Sequence, residues 1–356
     1  MSPMFVPGPV DVAAEVLQQQ TRPMLPHRSK DFEAVFQRSI DKLRQLFYTQ
    51  SRVFIMTNSG SGAQEACVRN LAHARVLSCV NGAFSKRWFD VAVANGKQAD
   101  KLEVPMGQAI LPAMVAEALQ KQKYDLITLV HNETSTGAQN PVKEIAELVH
   151  KASPETMVAV DAVSSLAGAR IEMDAWGLDV LFTSSQKCLA LPPGLALCGV
   201  NDRAMERAAQ VPNRGWYFDF VLLEKHRSKD STPMTPAMSL VFALDYQLDR
   251  ILTEGLEARF ARHSAMARRS QEWALKKGWS LFAAEGYRSQ TLTVVTNPPE
   301  FDCTDFNKFM APRRIRLANG YGDLKGKTFR IAHMGEIQPQ DLEDLLAGLD
   351  EYMKKG

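Results

Sequence analysis

The chain alternates between short apolar runs and longer amphipathic stretches. "RVFIM" (52–56), "RVLSCV" (75–80), "DLITLVH" (125–131), "MVAVDAV" (157–163), "DVLFTSS" (179–185) and "LALCGV" (195–200) are apolar at consecutive positions rather than at every second one. A strand with this pattern is covered on both faces, so these runs predict a sheet enclosed between helices. Between them the spacing predicts helices over 63–74, 85–94 and 141–151, the last with Pro141 in its first turn. Repeated β-α-β units imply a mostly parallel sheet with right-handed crossovers. Ligands then belong at the carboxyl ends of the strands. Four polar clusters fall at those ends: 58–62, 131–137, 161–165 and 183–187.

A change of pattern follows "STPMTPAMSL" (231–240). A helical region over 239–277 precedes a strand at 291–296, a polar stretch at 317–328, a strand at 329–335 and an amphipathic helix at 339–354. This predicts a small α/β domain joined to the larger one by a long helix. A chain of 356 residues has room for both.

The composition narrows the class of function. Apolar residues make up 45% and charged residues 23%, the balance of a water-soluble globular chain. A net charge of +2, with no Lys/Arg run, gives no electrostatic support for binding nucleic acid or a membrane surface. The five cysteines form no C-x-x-C pair, which reads as buried thiols in a reducing compartment. The first twenty residues lack the charged and apolar regions of a signal peptide. No stretch of about eighteen apolar residues exists to span a bilayer. The expectation is a cytoplasmic protein.

Candidate chemistry sits in the polar clusters. "TNSGSGAQEA" (57–66) places glycines and serines between a strand and a helix. Backbone N–H groups and hydroxyls there form a phosphate cradle, or simply a tight turn. The loop is neither a Walker motif nor a full dinucleotide fingerprint. Asp161 ends a buried run and needs a partner: a protonated heterocycle, a helix end or a buried ion pair. Lys187 lies in an apolar passage, where desolvation lowers an amine's pKa and favours Schiff-base chemistry; otherwise it snorkels to solvent. Arg330 is either a carboxylate clamp or a structural ion pair. Together these residues match the needs of one cofactor, pyridoxal 5'-phosphate. No H-E-x-x-H or G-x-S-x-G motif competes, and the seven histidines show no metal-ligand spacing.

The order and wording of the motifs resemble the class V aminotransferases of fold type I. The likeness is strongest toward the alanine/serine–glyoxylate (or pyruvate) branch. The matching pieces are "PGPV" (7–10), "SGSGAQEA" (59–66), "NGAFSKR" (81–87), "HNETSTGAQNP" (131–141), "VDAVSSLAG" (160–168), "DVLFTSSQKCLALPPG" (179–194), "TPMTPA" (232–237) and "FRIAHMGE" (329–336). The resemblance implies a large cofactor-binding domain over 17–250, with a mostly parallel seven-stranded sheet. It implies a smaller α/β domain over 251–356, joined by residues 1–16 near the active site.

Lys187 would carry the cofactor as a Schiff base and shuttle the substrate proton. Asp161 would pair with the pyridinium nitrogen, with Ser165 beside it. Ser61, Gly62, Ala63 and Gln186 would hold the phosphate, Ala63 through its backbone. Thr232 and Thr235 would reach the phosphate of a neighbouring subunit in a homodimer. Thr134 would bond near the phenolic oxygen, Phe84 would stack on the ring, and Arg330 would bind the substrate carboxylate. The implied activity is transfer of an amino group from alanine or serine to glyoxylate or pyruvate. "LPHRSKDF" (25–32) contains a His27–Arg28 pair similar to one that recognises a substrate phosphate in phosphoserine aminotransferases; it reads equally as a structural pair. Phosphoserine or 2-aminoethylphosphonate transamination is therefore the alternative. A lyase or desulfurase of the same fold and a nicotinamide-dependent dehydrogenase rank lower.

Overall fold

A computed structural model describes residues 3–354. Met1, Ser2, Lys355 and Gly356, the ends of the expected small domain, lie outside the described residues.

The chain opens with β1 (Met4–Phe5), α1 (Ala14–Gln18) and α2 (Lys30–Phe47). Helix α2 starts where the Ser29 hydroxyl accepts from Phe32 N, with Asp31 and Glu33 in its first turn. It buries Phe32, Val35, Phe36, Ile40, Leu43 and Phe47 on one face, each worth about 1.5–3 kcal/mol. Then come β2 (Arg52–Met56), α3 (Gly60–Leu71), β3 (Arg75–Val80), α4 (Ala83–Ala94), β4 (Gln98–Glu103), α5 (Pro112–Lys121) and β5 (Leu126–Val130). A two-residue hairpin follows, β6 (Asn132–Glu133) and β7 (Ala138–Gln139), then α6 (Val142–Ala152), β8 (Met157–Asp161), β9 (Val180–Ser184) and β10 (Ala196–Val200). Helices α7 (Asp202–Gln210), α8 (Phe220–Arg227), α9 (Met238–Glu254) and α10 (Leu256–Lys276) precede the last group. That group is β11 (Leu292–Thr296), α11 (Cys303–Met310), β12 (Arg316–Asn319), β13 (Thr328–Ala332) and α12 (Pro339–Met353).

Seven strands form the main sheet in the order β2-β10-β9-β8-β5-β3-β4. Strand β10 alone runs opposite to the other six. Every residue of β5, β8, β9 and β10 is buried, as their unbroken apolar runs require. A second sheet, β1-β12-β13-β11, packs with α10, α11 and α12 around Phe301, Phe306, Phe329 and Leu345.

Three expectations shift. The long helix over 239–277 is two helices, broken at Gly255, whose φ of +86° suits glycine. The helix expected from 63 begins at Gly60, so the glycine-serine loop is itself the first helical turn. Strand β4, "QADKLE", is a polar edge strand that no apolar run announces.

Candidate active site

The carboxyl ends of β5, β8 and β9 and the start of α3 surround a cavity of about 290 Å³. Its wall includes Ser59, Gly60, Ser61, Phe84, Asp161 and Lys187.

Asp161 ends β8. Its Oδ2 accepts from Gln64 Nε2 at 3.0 Å and its Oδ1 from Val163 N at 2.9 Å. Burial pushes its pKa up to about 6, against the lowering effect of those two hydrogen bonds. Lys187 follows β9, and its Nζ donates to the carbonyl of Pro7. The N-terminal segment thus runs from β1 in the second sheet across to the lysine, and Val10 N donates to Gln186 O at 3.1 Å. Gly8 has a φ of +113°, which favours glycine, and a Cβ there would lie 2.6 Å from Lys187 Cδ and displace the lysine. Burial lowers the Lys187 pKa to about 8, and the positive charge of Arg330 adds to this.

Phe84 lies in the first turn of α4. The buried Glu133 carboxylate fixes that turn, accepting from Phe84 N (3.3 Å), Ser85 N (2.8 Å) and Ser85 Oγ (2.8 Å). It also accepts from Ser135 N and Oγ. Tyr321 stacks on Phe84 with ring centroids 4.9 Å apart. Arg330, in the middle of β13, lies 5.6 Å from the Tyr321 ring and donates to Asn319 O. Burial lowers its pKa to about 10.

Thr134 and Gln186 line the cavity. Thr134 Oγ1 donates to Ser164 Oγ at 2.9 Å, as does Asn132 Nδ2 at 2.8 Å. Ser165 does not line the cavity; its hydroxyl is paired with His131 Nδ1 at 2.8 Å. Ser164, one residue earlier, orients the cavity side chains instead. Gly62 and Ala63 also stand outside the wall, because the early helix start turns both N–H groups onto Ser59 O. Ser59, Gly60 and Ser61 form the wall there, and a Cβ at Gly60 would meet Val163 at 2.7 Å. Within one chain, Thr232 and Thr235 do not reach the cavity. Thr232 is buried with its hydroxyl on Met234 O, and Thr235 is exposed. His27 and Arg28 sit in the turn before α2, away from the cavity, with Arg28 exposed.

Groups at the site missed in the sequence include Gln64, Arg87, Asn132, Glu133, Ser164, Ser184 and Tyr321. Arg87 lines the cavity, and its Nη1 donates to Ser61 Oγ at 3.0 Å. It stands three residues after Phe84, on the same helix face, and that spacing was the available signal.

The donor set fits pyridoxal 5'-phosphate. A helix N-terminus with a serine hydroxyl suits the phosphate. A buried carboxylate suits a ring N–H, an aromatic face suits the ring, and a desolvated amine suits the aldehyde. Four buried polar atoms of the lining, Gln64 Oε1, Asn132 Oδ1, Ser184 Oγ and Gln186 Oε1, lack a hydrogen-bond partner among the described residues. Such atoms are costly unless a ligand or water meets them.

Comparison with known proteins agrees. The family model described as aminotransferase class-V matches residues 12–321. An uncharacterized aminotransferase of Methanocaldococcus jannaschii is 36% identical, covering 99% of this chain and 92% of that protein. A serine–glyoxylate aminotransferase of Arabidopsis thaliana is 31% identical over 99% of this chain and 90% of its own. The crystal structure of an aspartate aminotransferase from Thermus thermophilus superposes with a TM-score of 0.91 at 31% identity, covering 99% of both chains.

Proposed function

This chain belongs to the class-V aminotransferases, and on that footing we propose that it moves the amino group of alanine or serine to a 2-oxo acid such as glyoxylate or pyruvate. Its cofactor is pyridoxal 5'-phosphate and its architecture is fold type I. When bound, that cofactor supplies an aldehyde for the amine and a ring that accepts electrons from the substrate's α-carbon.

The chain's own residues do the rest. The Lys187 amine, which burial lowers to about 8, would hold the cofactor's aldehyde and would be the base for the proton of the substrate α-carbon. Asp161 would pair with a protonated ring nitrogen and so hold that proton in place. Arg330 binds the substrate α-carboxylate with its fork of donors. Phe84 holds the ring plane, with Glu133 fixing the turn that carries it. The proposal takes 17–250 as the cofactor-binding domain and residues 1–16 with 251–356 as the second domain. It places the enzyme in the cytoplasm as a homodimer, with Thr232 and Thr235 serving the partner's phosphate. No helix among the described residues is long and apolar enough to cross a membrane.

The observation that supports a small substrate is the size of the cavity on the cofactor side of Arg330. At about 290 Å³ it lies at the lower limit of ordinary ligand pockets, and the cofactor must occupy it too. A small side chain suits what remains. Phosphoserine and 2-aminoethylphosphonate need a second anion site, and within the chain His27 and Arg28 stand away from the cavity. A desulfurase needs a reactive thiol. Cys188 is buried, and burial pushes its pKa up to about 12. Single-turnover half-reactions with alanine, serine, aspartate, phosphoserine and 2-aminoethylphosphonate test the reading. Alanine or serine should convert fastest; conversion of a phosphorylated or phosphonate donor alone would refute it.

A further inference from the structure

We propose that Arg87 is the cation that balances the cofactor's phosphate, an inference that rests on the pyridoxal phosphate reading above. A phosphate monoester carries about −1.5 to −2 charges at neutral pH. The groups expected to cradle it are neutral: the Ser61 hydroxyl, the Gln186 amide and the α3 N-terminus, the last worth about half a positive charge. More positive charge is needed at that end of the cavity.

Among the described residues lining the cavity, the cations are Arg87 and Lys187. Lys187 is committed to the aldehyde. Arg330 reaches the site from the second sheet, donating to Asn319 O and to Thr134 O at 3.5 Å, and the reading above gives it to the substrate α-carboxylate. Arg87 remains, and its placement is specific. Its Nη1 meets Ser61 Oγ at 3.0 Å, in the first turn of α3, and its guanidinium carbon stands 5.0 Å from the centre of the Phe84 ring. Both partners are uncharged. No carboxylate among the described residues forms an ion pair with it, whereas the adjacent Lys86 is exposed and paired with Asp90. The guanidinium therefore sits at the cradle without an ion-pair partner among the described residues, its charge felt at longer range by Asp161. A planar fork of this kind matches phosphate oxygens with two parallel hydrogen bonds. The main rival is the side-chain carboxylate of a dicarboxylic amino acid. Contact with Ser61, at the phosphate end, favours the cofactor.

The test compares pyridoxal 5'-phosphate with pyridoxal, which lacks the phosphate. Cofactor-free wild type, Arg87→Gln and Arg87→Lys are titrated with each compound by absorbance, with circular dichroism confirming the fold. Arg87→Gln should weaken binding of pyridoxal 5'-phosphate by about tenfold or more, the usual weight of a charged hydrogen bond. Pyridoxal binding should change by less than about twofold on the same basis. Arg87→Lys, which keeps the charge without the fork, should fall between wild type and Arg87→Gln. Equal weakening of both compounds would overturn the proposal, since Arg87 would then act through Phe84 or the fold. Unchanged affinity for pyridoxal 5'-phosphate with a raised KM for aspartate would also overturn it, and would assign Arg87 to the substrate. If Arg87→Gln does not fold, phosphate-selective weakening in Arg87→Lys supports the proposal, and its absence overturns it. Wild type that binds neither compound would overturn the cofactor reading itself.

Discussion

Replacing Lys187 by methionine should make the cofactor-free protein more stable at neutral pH. The lysine's burial lowers its pKa from 10.5 to about 8, so the folded state holds its proton less tightly than the unfolded chain. That difference corresponds to about 3 kcal/mol of destabilisation, at 1.36 kcal/mol per tenfold change in proton affinity. It applies fully below pH 8, where the amine is charged in both states. It fades as pH rises from 8 towards 10.5, because the folded amine is by then neutral. Methionine has a similar length and no charge, so it removes this term. It also removes the hydrogen bond to Pro7 O, which offsets about 1 kcal/mol. The net expectation is a gain of about 2 kcal/mol at pH 7 that shrinks by more than half by about pH 9.5. Denaturant unfolding of both cofactor-free proteins at one concentration, from pH 6.5 to 9.5, measures it. A difference that is constant across this range would refute the claim that the amine is desolvated. So would a variant less stable than wild type at pH 7.

Asp161→Asn removes the charge proposed to face the ring nitrogen and should lower kcat about a hundredfold or more while the cofactor still binds, read by steady-state kinetics and absorbance. Arg330→Gln should lower kcat/KM for amino acids with a free carboxylate by about tenfold to a hundredfold, with little change for amines that lack one. Glu133→Gln puts an amide donor against either the N–H groups of Phe84 and Ser135 or that of Ser85, because these use different carboxylate oxygens. It should cost about 2 kcal/mol in denaturant unfolding and weaken cofactor binding through the misplaced Phe84.

The parallel core of the sheet was legible because β5, β8 and β9 are covered on both faces, and coverage writes itself as unbroken apolar runs. Strand β4 was not, since an edge strand half open to water keeps polar residues. The break at Gly255 was hidden because helical spacing continues on both sides of one glycine. At the site, Asp161 and Lys187 stood out as ionisable groups in apolar surroundings. Gln64 and Asn132 carry no such contrast in the sequence. Tyr321 reaches Phe84 only because the second sheet folds back over the first, a pairing across more than two hundred residues that local pattern does not encode. Ser165 and Ser164 differ by one position in a tight turn, and only the hydrogen bonds to His131 and Thr134 tell them apart.

The central claim is that the Lys187 amine holds pyridoxal 5'-phosphate. Purified protein should therefore be yellow, lose its visible band on treatment with borohydride, and carry the reduced cofactor on Lys187 when its peptides are mapped by mass spectrometry. Label on any other lysine, or a protein that stays colourless and unlabelled with added pyridoxal 5'-phosphate, would contradict the account.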